Sequence, residues 1–150
     1  MKVNGVAATY VPWEVATTTG ESNSYTIAVS EWSFPEVVLQ PGINRLLIQA
    51  FDAAGAEIER KHHEVWFDDG SVTDVAGAIA ANTTWTAAGG PYRVTAALTI
   101  NDGVTLTIEP GTTVYLTAGI GITVAPGGRI SAEGTEPQPI YFTRPPGATD

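Results

Sequence analysis

The apolar positions of this chain fall in short clusters, separated by glycine, proline and acidic residues rather than spaced at a helical period. In the first half they gather at 25–29, at 37–39 and over 44–51. Gln40-Pro41-Gly42 predicts a turn ahead of the third cluster, since proline presets one backbone angle and glycine admits the left-handed region. The segment NRLLIQAF places Leu46, Ile48 and Ala50 on one face of an extended strand and Leu47, Gln49 and Phe51 on the other. Asp52-Ala53-Ala54-Gly55 then predicts a hairpin turn into a strand over 57–67, with Ile58, Val65 and Phe67 as strand positions. Asp68-Asp69-Gly70-Ser71 is acidic and turn-forming, and the DVAGAIAANTT that follows is small, mixed and without clear period. That stretch reads as a linker and cap.

After Trp85 an internal repeat begins. Leu98-Thr99-Ile100-Asn101-Asp102-Gly103 aligns with Ile122-Thr123-Val124-Ala125-Pro126-Gly127 at an offset of 24, and Leu106 and Ile108 fall on Ile130 and Ala132 at the same offset. Val114 and Leu116 then fall on Ile140 and Phe142, two residues later. Three short strands per coil, each bounded by a glycine turn, is the pattern of a solenoid, in which a coil buries its apolar face only by stacking on the next. The repeat accounts for barely two coils. Leu46, Ile48, Val65, Leu106, Ile108, Val114 and Ile140 are the expected buried positions.

These residues carry two resemblances. LTINDGVTLTIEPGTTVYL and GITVAPGGRISAEGTEPQPIYFTR, within 85–144, resemble the opening coils of right-handed parallel β-helices in large bacterial surface proteins. Val3-Asn4-Gly5 through Phe67, with LQPGINRLLIQAFDAAG, resembles the later strands of a bacterial immunoglobulin-like domain. The order resembles that of extracellular proteins that also carry lamin-tail and spore-coat-kinase-like domains. The resemblance implies an all-β fold: a partial immunoglobulin-like β-sandwich over 1–69, a linker or cap over 70–84, the start of a parallel β-helix over 85–144 and a tail over 145–150. It also implies strands before Val3 and coils after Gly147 in a fuller family member.

Composition supports the class and removes several functions. Sixteen glycines and ten prolines among 150 residues, with abundant Thr and Val, suit short strands and tight turns. Sixteen acidic residues against seven basic ones give a formal net charge of −9, which opposes nucleic acid and anionic membrane. No apolar run is long enough to insert in a membrane, and MKVNGVAATYVPW has no apolar segment of a signal peptide. With no cysteine, thiolate catalysis and cysteine metal sites are excluded.

The candidate chemistry is sparse. Glu109 and Glu133 fall at equivalent coil positions and, with Asp102 and Glu136, are the solenoid carboxylates; they read as solvated turn residues. His62 and His63 are adjacent in a strand, where neighbouring side chains point to opposite faces and cannot easily share one metal. Asp68, Asp69 and Asp74 offer oxygen ligands on a turn, the donor type calcium takes, without the alternating spacing of a helical calcium loop. No other cofactor is suggested. No Gly-x-Ser-x-Gly elbow or phosphate loop occurs. Among the aromatic residues, Trp13 and Trp32, with Tyr10, lie in polar surroundings and suit stacking on sugar rings, whereas Trp66 sits between Val65 and Phe67 as a core residue would.

The sequence thus points to a non-catalytic structural, spacer or adhesion module of a secreted or cell-surface bacterial protein. Two other readings stay open: a carbohydrate-binding module that meets polysaccharide through Trp and Tyr, and an N-terminal fragment of a β-helical polysaccharide lyase or hydrolase. The strand near Ile140 is an expected site of self-association, because a solenoid edge leaves backbone groups unpaired.

Overall fold

A computed structural model describes residues 1–12, 30–33 and 36–148. The strands are β1 (Lys2–Val3), β2 (Val6–Ala7), β3 (Thr9–Pro12), β4 (Ser30–Ser33), β5 (Gly42–Phe51), β6 (Glu57–Phe67) and β7 (Thr73–Ile79). They continue with β8 (Thr83–Trp85), β9 (Tyr92–Ile100), β10 (Thr105–Ile108), β11 (Thr113–Leu116), β12 (Ile122–Val124), β13 (Arg129–Ala132) and β14 (Tyr141–Thr143). A single short helical turn, Ala87–Gly89, accompanies them among the described residues. The chain divides into two compact units, one of the described residues in Met1–Val38 with Leu46–His63, the other of those in Leu39–Arg45 with Glu64–Asp150.

The first unit is antiparallel. Its sheet has the order β2-β1-β5-β6, and β3 pairs with β4 in a separate ladder. Asn4 and Gly5 have φ of 47° and 81°, the left-handed pair that a tight two-residue hairpin requires. Asn4 also fixes that hairpin to β5: its N–H donates to Leu47 O and its Oδ1 accepts from Leu47 N, each at 2.9 Å. At the other end of β5, Asp52 Oδ1 accepts from Ala54 N and Ala56 N at 2.9 and 2.8 Å, closing the turn into β6. The expected strands over 44–51 and 57–67 are therefore present. The cluster at 25–29 lies outside the described residues, and 37–39 forms no strand.

Burial in this unit is shallow. Leu46 and Ile48 are half-buried, Ile58 is 67% exposed, and Val3 is the buried apolar side chain among the described residues. The period-two pattern fixed the strand but not how deeply either face would be covered.

The second unit is a parallel solenoid with three faces. On the first, residues 73–75 of β7 pair with 92–94 of β9, which pair with β11, which pairs with β14. On the second, 77–79 of β7 pair with 98–100 of β9 and these with β12. On the third, β8 pairs with β10 and β10 with β13. The offset of 24 holds as expected: Leu98 aligns with Ile122, and Leu106 with Ile130.

Two expectations are corrected. The stretch over 70–84, expected as a linker or cap, holds β7 and the start of β8, which pair with β9 and β10 as a first rung, so the solenoid has more than the expected two coils. Their strand pattern was hidden because the register shifts between Val75 and Gly77, which breaks the alternation of side chains. The second correction concerns β14, where Val114 aligns with Phe142 and not with Ile140. The offset there is 28 rather than 24, and the preceding loop absorbs the four extra residues by folding on itself, Thr135 N to Gln138 O at 3.1 Å and Gln138 N to Thr135 O at 3.2 Å.

Inside, apolar residues of successive rungs stack in register. Val94, Ile100, Leu106 and Val114 are 0% exposed, Ile108 1% and Leu98 2%. Burying each such side chain contributes roughly 1.5–3 kcal/mol, so this stack is the main stabilising term of the unit. Trp85 and Tyr92 close one corner with rings stacked at 4.6 Å, and Thr86 N donates to Tyr92 Oη at 3.2 Å. At another corner the turn at Gly127, with φ of 80°, lies so close to Asp102 that a Cβ would collide with its Oδ1. Ile122, Ile130 and Ile140 pack on the same core but stay half-buried.

Ile108→Ala should therefore cost on the order of 2–5 kcal/mol of unfolding free energy, and Ile48→Ala distinctly less. Chemical denaturation of both variants checks the order; equal losses would show that the two sites are equally buried.

Candidate functional site

The most developed side-chain arrangement lies on the outward surface of the first solenoid face. Thr113 and Tyr115 alternate with the inward Val114, yet they are only 2% and 4% exposed. Residues 39–45 and the end of β6, which belong to the same unit, cover them. Ile43 N donates to Thr113 Oγ1 at 2.9 Å. Gly42 makes that approach feasible, because a Cβ there would lie 2.6 Å from Thr113 Oγ1 and its φ is 103°. Trp66 Nε1 donates to Tyr115 Oη at 2.9 Å, and Tyr141 Oη donates to Glu64 Oε1 at 2.8 Å. Arg45 Nη1 donates to Glu136 O at 3.1 Å, while its buried Nε has no hydrogen-bond partner among the described residues.

This setting shifts one group. Burial pushes the Tyr141 hydroxyl up to about 12, with the hydrogen bond to Glu64 and its negative charge adding to the effect and Arg45 opposing it. Beside Tyr115 a cavity of about 310 Å³ opens, lined by Ile43, Trp66, Tyr115, Thr143, Arg144 and Pro146. Trp66 is 47% exposed, so the core position suggested by its neighbours Val65 and Phe67 is corrected. The signal was the alternation itself: Glu64 and Trp66 share one face of β6, and Ile43 and Arg45 one face of β5.

The other candidates are dispersed. Tyr10 and Trp32 are register partners across β3 and β4, and Trp13 lies outside the described residues. Asp68 Oδ1 accepts from Gly70 N at 2.8 Å, and Asp69 Oδ1 accepts from Ser71 N and Ser71 Oγ, which holds the Asp69 carboxyl below its ordinary range. Asp74 instead forms a bidentate pair with Arg93 at 2.7 and 2.8 Å, which lowers its own titration point. The structure thus does not gather these three carboxylates around a calcium ion, and no group of three His, Cys, Asp or Glu suited to a metal occurs among the described residues. His62 and His63 occupy successive positions of β6, half-buried and exposed. Glu109 and Glu133 follow aligned strands on adjacent rungs, both exposed. No helix among the described residues is long and apolar enough to cross a membrane.

The rungs of the second unit define a parallel β-helix. Residues 77–148 match the model of a family described as the pectate-lyase like beta helix domain, so this part of the chain is similar to that family. No curated protein and no solved structure matches the chain.

The raised Tyr141 value carries a pH dependence. An unfolded tyrosine titrates near 10.0, so the Tyr141 contribution is whole below that pH and is lost as pH rises through about 12. The wild type should lose thermal stability relative to Tyr141→Phe across that window; a difference in melting midpoint that does not change with pH would show that the Tyr141 hydroxyl is not raised in the folded state.

Proposed function

We propose that the chain is a non-catalytic β-helical scaffold module of a secreted or cell-surface bacterial protein, its antiparallel strands forming an immunoglobulin-like part. The observation that carries this reading is the continuous in-register stacking of the rungs, in which Val94, Ile100, Leu106 and Val114 are fully buried. Among the described residues β12, β13 and β14 each pair on one side only, and Val124 and Phe142 remain 41% and 46% exposed. An edge that keeps unpaired backbone groups beside apolar side chains is a template for another rung. The outward carboxylates Glu109 and Glu133 are both exposed after aligned strands of adjacent rungs, which fits solvated turn positions of a scaffold.

The match to a pectate-lyase like domain favours a second reading, in which these coils belong to an enzyme that cleaves polysaccharide. A cleavage assay separates the two. On acidic and neutral polysaccharides the isolated chain should release neither unsaturated nor new reducing ends; release that persists on repurification would replace the scaffold reading with the enzymatic one.

The open rung also predicts association of the isolated chain with a second copy of itself. Sedimentation across a concentration series should show a reversible oligomer, abolished in Val124→Lys/Phe142→Lys. A strictly monomeric wild type at high concentration would show that the rung does not act as a template.

A further inference from the structure

Strand β14 is three residues long and, among the described residues, pairs only with β11. A short strand paired on one side is the part of a solenoid most open to fraying, because stability there passes only between neighbouring rungs. Its outward side chains, however, do not stand alone. Tyr141 and Thr143 are register partners of Thr113 and Tyr115, so the four form one outward block across β14 and β11. Every member of that block is met by one of two earlier segments, 39–45 and 64–67. Ile43 N donates to Thr113 Oγ1 and Trp66 Nε1 to Tyr115 Oη, each at 2.9 Å, while Tyr141 Oη donates to Glu64 Oε1 at 2.8 Å. Thr143 lines one cavity together with Ile43 and Trp66. Arg45 Nη1 adds a bond at 3.1 Å to Glu136 O, in the loop that delivers β14.

We propose that 39–45 and 64–67 act as a clasp that governs the local opening of β14, separately from the inner rungs. The clasp holds β11 and β14 at once, so β14 cannot leave its neighbour without also giving up the Tyr141–Glu64 bond and the cover over Thr143. None of the four hydrogen bonds reaches β7, β8, β9 or β10, which makes the effect local. The first segment is also shaped in advance: Asn44 Nδ2 donates to Gln40 O at 2.7 Å and Asn44 Oδ1 accepts from Gln40 N at 2.9 Å, closing the turn through Pro41 and Gly42. That turn presents Ile43 N, and Gly42 leaves the space that Thr113 occupies. A preformed clasp spends less conformational entropy when it engages. The inference goes beyond the scaffold reading, since the clasp would act in the same way on coils that belonged to an enzyme.

Hydrogen exchange of the whole chain, followed amide by amide by NMR, tests this. The Tyr141 N–H, bonded to Thr112 O at 3.0 Å, reports on β14. The Asn101 N–H, bonded to Ile79 O at 3.1 Å, and the Glu109 N–H, bonded to Trp85 O at 2.9 Å, report on the inner rungs. Glu64→Ala/Trp66→Phe removes both side-chain hydrogen bonds and keeps an aromatic ring at position 66. Exchange at Tyr141 should then quicken about tenfold or more, with Asn101 and Glu109 staying within about twofold of the wild type. Glu133→Ala, which removes an equal charge elsewhere on the solenoid, should leave all three amides unchanged. Should the double variant fail to fold, Glu64→Ala alone, a change at an exposed side chain, carries the test with a several-fold effect at Tyr141. Unchanged exchange at Tyr141 overturns the proposal. So does an equal acceleration at all three amides, which would make these contacts part of the global stability rather than a clasp on one strand.

Discussion

Register between parallel rungs is the constraint on which the second unit depends. A parallel strand cannot be reached through a tight hairpin, so the chain must travel round the whole coil before it can pair with itself again. Each circuit therefore has to return with the same inward positions occupied, and Val94, Leu106 and Val114 are fully buried because it does. Variation in circuit length falls at turns and at one bulge: the pairing offset is preserved through Pro126-Gly127-Gly128, the loop before β14 takes up its extra residues outside the core, and the offset between β7 and β9 changes at the register shift after Val75. Gly127 shows how little freedom remains where two turns stack, since a Cβ would run into Asp102.

The outward surface of the first face is held by different forces. Thr113, Tyr115 and Tyr141 would ordinarily face water there, and their hydroxyls would be costly to bury alone. Each is matched by one partner, Ile43 N, Trp66 Nε1 and Glu64 respectively, so the polar groups are satisfied while the rings and methyl groups gain burial. This pairing turns a plain solenoid face into a shaped one, and it holds the Trp66 ring in place while leaving much of it in solvent.

Charge plays a smaller part. The pairs Asp74 with Arg93 and Glu57 with Arg60 are exposed, and ion pairs in solvent contribute little to stability. Their effect is local: Asp74 is neutralised by its arginine, which takes it out of any cation site with Asp68 and Asp69. The net charge of −9 acts on encounters with other molecules rather than on the fold.

What the amino-acid order determined by itself was periodicity. The repeat of 24 residues, the inward Leu106, Ile108 and Val114, and the strands through NRLLIQAF and 57–67 follow from spacing and turn residues alone, because backbone geometry converts spacing directly into a face. Only the tertiary structure decided which faces were covered. Leu46, Ile48, Val65 and Ile140 have the same pattern as the buried positions yet remain half-buried, since burial depends on a second layer supplied by distant parts of the chain. The rung formed by β7 and β8 was illegible for a related reason: its small residues and the shift at Gly77 erase the alternation, and it is recognised only through its pairing with β9 and β10. Trp66 and Tyr115 are 49 residues apart, and no local pattern announces their hydrogen bond. Solenoid stacking and the covering of one face bring them together, because side-chain proximity across that separation is a property of packing and not of sequence.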